Sequence, residues 1–152
     1  MRAVGLPAAL PDIHGLAIRV LTDEGDADLL LASTGWGRFG RFVLTASRDP
    51  SARPMTTLLP YRTRTGPLLI GARTMAPHSH TLAWAVRGGP WQTFGVLILS
   101  GAPAADQDIS FDPVRHQLPG LEQYPALVRL REPAYTRARA SSDRQTDRTS
   151  EA

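Results

Sequence analysis

Residues 81–100 read TLAWAVRGGPWQTFGVLILS, and the fold is decided there. Two runs rich in β-branched and aromatic residues, Thr81 to Arg87 and Trp91 to Ser100, flank Gly88-Gly89-Pro90. Each run is too short for a stable helix, and a three-residue Gly-containing loop between such runs predicts a β-hairpin. Working back along the chain, the same signal recurs. Pro67 to Ala72 (PLLIGA) follows Gly66, Met55 to Leu59 precedes Pro60, and Phe39 to Thr45 reads FGRFVLT. Asp28 to Thr34 (DLLLAST) is a short apolar run, and Gly15 to Leu21 alternates Leu16, Ile18 and Val20 with Ala17 and Arg19. Six or seven short strands without a long amphipathic helix predict a mainly β fold, an antiparallel barrel or sandwich.

Beyond Ser100 the character changes. Gly101 to Asp108 is small and polar, and Phe111-Asp112-Pro113 to Pro119-Gly120 reads as an ordered irregular segment. Tyr124 to Leu130 suits a short helix, and Pro133 suits the first turn of another running through Ala140. Residues 141–152 (SSDRQTDRTSEA) carry no apolar anchor and read as a disordered tail. The expected organisation is one domain over 1–140 with a tail over 141–152.

At 152 residues and 16.5 kDa the chain supports one hydrophobic core, and 42% apolar against 20% charged residues excludes a wholly disordered protein. No apolar run approaches the roughly 18 residues of a spanning helix, and no basic n-region precedes an apolar stretch. No membrane span and a cytoplasmic location are therefore expected. The absence of cysteine removes disulfides, thiolate catalysis and Cys-ligated metals. All 17 basic residues are arginine, so lysine Schiff-base chemistry is excluded too. The charge is uneven: between Asp49 and Asp106 lie five arginines and no acid. That middle third makes a positive field suited to carboxylate or phosphate. A nucleic-acid partner is not expected, because the aromatics do not alternate with arginine and no basic helix is present.

Two local motifs invite chemistry. Gly35-Trp36-Gly37-Arg38-Phe39-Gly40 is a literal G-x-G-x-x-G, but the following segment is β-like and Asp49 is too close to serve a ribose. It reads as a glycine-rich strand connection. Asp12-Ile13-His14-Gly15 resembles the D-x-H-G signature that opens the metallophosphoesterases. Gly25-Asp26-Ala27-Asp28 resembles that family's next G-D motif, and His78-Ser79-His80 its closing H-x-H. The resemblance implies a phosphodiesterase, a hydrolase in which Asp12, His14, Asp26, His78 and His80 hold divalent metals that activate water. Against it, a proline-bounded segment (LPAALP) precedes Asp12, and the chain has no asparagine for the family's Asn-His pair.

A more extended likeness runs through the whole domain. PDIHGLAIRV, DLLLAST and GRFGRFVL, in that order, resemble the catalase run D-x-R-G-F-A-V-R-F, D-L-x-x-N-N-T and an aromatic-rich strand. Residues 109–135 (ISFDPVRHQLPGLEQYPALVRLREPAY) are similar to the catalase stretch containing F-D-P, P-x-x-x-Y-P-L and an Arg-Pro-Tyr element. The resemblance, over about 10–135, is to the small catalase-like proteins, and it implies an antiparallel β-barrel or partial barrel with short C-terminal helices and haem b at one end. It implies Arg2 as a propionate-binding residue, from the R-x-x-x-G step in MRAVGL, and Arg131 with Tyr135 as the proximal pair. On one helix face the arginine would stabilise a tyrosinate that binds ferric iron. Tyr135 equally matches the earlier Arg-Pro-Tyr element, which binds no iron.

The family's distal asparagine falls at Ala32-Ser33, and its distal histidine lies upstream of the matching region. The expectation is a shortened, degenerate member that binds haem or another planar anion on its Arg-rich side, without catalase activity. The alternatives are the metal-dependent phosphodiesterase and a non-catalytic structural or binding barrel. A barrel missing a strand exposes an edge, so a homodimer is expected.

Overall fold

The computed structural model of the chain describes residues 10–86, 88–100 and 111–125. The chain divides after Glu122 into two units, and every element below belongs to the first. The architecture is mainly β, as the sequence predicts. Seven strands, β1 (Gly15–Thr22), β2 (Gly25–Ser33), β3 (Met55–Thr56), β4 (Tyr61–Thr63), β5 (Gly66–Ala76), β6 (Ser79–Val86) and β7 (Gln92–Ile98), form one antiparallel sheet. Its order is β1-β2-β3-β5-β6-β7, with β4 also on β5, and the sheet curls as a half-barrel. The predicted C-terminal helices and the tail boundary lie outside the described residues. No helix among the described residues is long and apolar enough to cross a membrane.

The period-2 rule places the core. Directly opposed pairs share a face, so Leu16 with Leu31, Ile18 with Leu29, Ile70 with Trp84 and Ala72 with Leu82 line the concave side. Leu29, Leu31, Met55, Tyr61, Ile70 and Ala72 are buried there, and Leu118 and Leu121 pack on them from the irregular segment. An apolar groove of about 450 Å³ remains between these side chains, with Phe94 of β7 at its rim.

Several features differ from the sequence reading: β3 ends at Thr56, short of the expected Leu59, and β4 lies outside the expected runs. β2 begins at Gly25 because Gly25, at φ +120°, closes a tight turn on Thr22. β5 runs on to Ala76, four residues past the predicted end, before Pro77-His78 turns it into β6. Phe39 to Thr45 is not a strand. Gly40–Phe42 forms a single 3₁₀ turn, and only an isolated bridge, Thr34 to Leu44, survives of the expected pairing.

At the β5–β6 turn, His78 sits at φ +63° after a proline, a place where glycine is the low-cost residue. Replacing His78 by glycine is expected to raise stability by about 1 kcal/mol, a Tm gain of about 3 °C for a chain of this size. Thermal unfolding followed by circular dichroism checks this, and a fall in Tm would count against strain at this position.

Candidate functional site

The five residues of the metal motif do not assemble. Asp12 is buried in a bridge to Ser47, and its Oδ1 accepts the Ile13 N–H at 2.7 Å. His14 is buried as well: Nε2–H donates to the Ser47 carbonyl at 2.9 Å, and the backbone N–H donates to Ser33 Oγ at 3.0 Å. Asp26 lies at the other end of the β1–β2 ladder, opposite Leu21 and near Arg19. Leu21 is six residues along β1 from Gly15, so at about 3.3 Å each Asp26 is roughly 20 Å from the D-x-H-G turn. His78 and His80 do share a cavity of about 310 Å³ with Gly15, Leu16, Met55 and Thr74. Burial, with His78 beside it, pushes His80 below its ordinary value, and its Nδ1 shares a hydrogen bond with Thr74 Oγ1. No group of three or more His, Asp or Glu among the described residues is placed to hold a metal ion. The D-x-H-G turn thus serves the backbone, because its polar atoms are spent on closing the Asp12–Ser47 bridge.

The glycine-rich loop is a built feature. Gly35 N–H donates to Gly40 O at 3.0 Å, and a β-carbon on Gly35 would lie 3.0 Å from Gly40 Cα. The two glycines therefore let the backbone cross itself, and a 3₁₀ turn rather than an α-helix follows. Inside the crossing, Trp36 stacks on Trp91 of the β6–β7 connection, with centroids 4.2 Å apart and planes at 17°. Trp91 Nε1–H donates to the Trp36 carbonyl at 2.8 Å. The pair rests on Gly71 of β5, where a side chain would strike both rings.

Arg41 completes this cluster. It is only 3% exposed and lies 4.6 Å over the Trp91 ring. Its guanidinium donates to the carbonyls of Gly37 and Gly89, at 3.3 and 3.1 Å, and to no carboxylate among the described residues. Burial, and then the charge of Arg38, lower its pKa. A cation removed from water without an acidic partner costs free energy that carbonyl dipoles and an aromatic face only partly offset. Arg38 packs over Gly88 on the same side, so two cations meet there. Around them the loop turns apolar side chains outward: Phe39 is 81% exposed, Val43 58%, and Phe42 and Leu44 are also exposed.

A second cluster ties the irregular segment to the sheet. Asp28 of β2 is fully buried and accepts Arg19 Nε at 2.8 Å and Nη2 at 2.9 Å, a bidentate pair. Its Oδ2 also accepts the Asp112 N–H at 2.8 Å and His116 Nδ1–H at 3.0 Å. Asp28 N–H in turn donates to the His116 carbonyl, and Arg19 lies 5.1 Å over the Phe111 ring. Asp112 holds the turn with its own Oδ1 on the Val114 and Arg115 N–H groups. The Phe-Asp-Pro element is thus a clasp on β2. His116 has Nδ1 committed to Asp28, but no reacting group lies beside it among the described contacts.

Arg2, Arg131 and Tyr135 lie outside the described residues. The sequence reading misses Arg41 and the tryptophan pair. Their signal is a charged residue four positions after a G-x-G step, between Phe39 and Phe42, in a segment of strand-like composition. No known protein family, no curated protein and no solved structure matches the chain.

Proposed function

We propose that this chain is a catalase-like, non-catalatic barrel protein that binds haem, or a similar planar anion, against the Gly35–Leu44 loop. One observation carries the reading. Large apolar side chains, Phe39, Phe42, Val43 and Leu44, stand exposed on the loop that carries the exposed Arg38, which no carboxylate among the described residues meets. A protein surface rarely exposes such a patch without a ligand or partner, and an amphiphilic macrocycle with two carboxylates suits both halves of it. The exposed loop side chains suit an apolar face of haem, and Arg38 suits one of its carboxylates. By the catalase resemblance, iron ligation would fall to Tyr135 with Arg131, and a further carboxylate contact to Arg2, all three outside the described residues. By the resemblance the family's distal asparagine falls at Ala32-Ser33, where the Ser33 hydroxyl is spent on the Thr45 carbonyl and the His14 N–H. No general acid or base is offered there, so peroxide cleavage lacks the assistance worth roughly 10²–10⁴ in rate.

Haemin titration of the full chain is expected to give a Soret shift saturating at one equivalent. Phe39→Asp and Arg38→Gln should each weaken binding about tenfold, since a charge-assisted pair or a buried aromatic face is worth about that much. Tyr135→Phe should move the Soret band without abolishing binding. The loaded protein should decompose peroxide no faster than free haemin. A titration without a Soret shift, or one indifferent to both loop variants, would overturn the proposal.

A further inference from the structure

We propose that β7 pairs antiparallel with β7 of a second copy of this chain, joining two half-barrel sheets across a twofold axis. Among the described residues β7 is the last strand of the sheet, bonded on one side only, to β6. An open strand edge is a template for another strand, and proteins that keep such edges alone guard them with charge or proline. β7 has neither. Its sequence, QTFGVLI, sits in the longest stretch of this chain free of Asp, Glu and Arg, residues 88–105. Its apolar side chains also face solvent: Ile98 is 76% exposed, and Phe94 and Val96 are more than half exposed.

Charge selects the occupant. Between Asp28 and Asp106 the chain carries eight arginines and the single acid Asp49, so most self-contacts over this region would set cation against cation. At β7 they would not. Among the described residues, Arg38 and Arg41 lie at the Gly88–Trp91 connection, off the start of the strand, and the arginine in register with Val96 on its face is Arg73 of β5, paired through Thr81. Two copies joined at β7 place their Arg73 side chains five strand spacings apart, roughly 24 Å, beyond the screening length of about 8 Å. A twofold pairing is self-complementary, since each copy presents the same uncharged strand. β1, at the other edge, is less open: its Arg19 is drawn into the Asp28 clasp, with Phe111 against it.

Sedimentation equilibrium of the full chain, from about 5 to 200 μM, tests this. The expected mass is twice 16.5 kDa, about 33 kDa. Val96→Lys with Ile98→Lys should return the monomer, with an unchanged far-ultraviolet dichroism spectrum, whereas Leu21→Lys on β1 should leave the dimer intact. Should the double variant fail to fold, hydrogen exchange of the wild-type β7 amides decides: protection must rise with protein concentration. A monomer throughout the range overturns the proposal. So does a dimer that survives both lysines, or one lost in Leu21→Lys.

Discussion

Asp28→Ala is expected to destabilise the fold by about 3–5 kcal/mol, the usual result of stripping one partner from a buried charge pair. Arg19 loses its bidentate carboxylate, and the Asp112 N–H and His116 lose an acceptor in the same step. Urea unfolding measures the loss. Arg19→Met combined with Asp28→Leu should cost much less, because no unpaired charge is left inside. His116→Ala, at the exposed end of the cluster, should cost only about 1 kcal/mol.

The same carboxylate sets an acid dependence. Burial pushes the Asp28 carboxyl up, but the hydrogen bonds from Arg19, from the Asp112 N–H and from His116 outweigh it and bring it to about 2. The folded value lies below the unfolded value of about 3.9, so the contribution is full well above pH 4. It fades as pH falls through 4 and is gone below about 2, a total of about 2 kcal/mol. Asp28→Asn should lack this component of acid sensitivity. Equal loss of stability between pH 5 and 2 in wild type and Asp28→Asn would refute the assignment.

Gly71→Ala is the second large effect. A β-carbon there would stand 2.8 Å from the Trp36 ring and 3.0 Å from Trp91, and neither ring can retreat while Trp91 Nε1 holds the Trp36 carbonyl. Overpacking of this kind costs about 1–3 kcal/mol, and the upper end is expected because both neighbours are rigid. The stacked pair should separate, seen as loss of its near-ultraviolet dichroism. If the proposed haem site is correct, affinity for haemin should fall with it, since the Gly35–Leu44 loop is seated on that pair. A spectrum unchanged in Gly71→Ala would mean that the rings have room the geometry denies them.

What is legible in the sequence follows from range. Alternation within Gly15 to Leu21, and the turn residues around 88–90, depend on neighbours in the chain and read correctly as a strand and a hairpin. Phe39 to Thr45 has equally strong strand composition, yet it is bent by Gly35 meeting Gly40 and by Arg41 reaching the Gly89 carbonyl, 48 positions away. Asp28 looks like part of a metal motif beside Asp26, although period 2 puts the two on the same face of β2. Only the packing of Asp112, 84 residues on, reveals it as a structural anion. Asp12 and His14 mislead for a similar reason: residue type and spacing match a ligand set, while Ser47, remote in sequence, takes up their polar atoms.

The two-residue strand β3 bears on how this sheet comes apart. It alone lies between the β1–β2 hairpin and the β5–β6–β7 meander in the strand order, touching each through two residue pairs. Each flanking block is held by long local ladders of its own. With so narrow a hydrogen-bonded seam, what joins the two blocks is the core in which Leu29 and Leu31 meet Ile70 and Ala72, so loosening that packing would let the hairpin block open sub-globally while the meander stays protected.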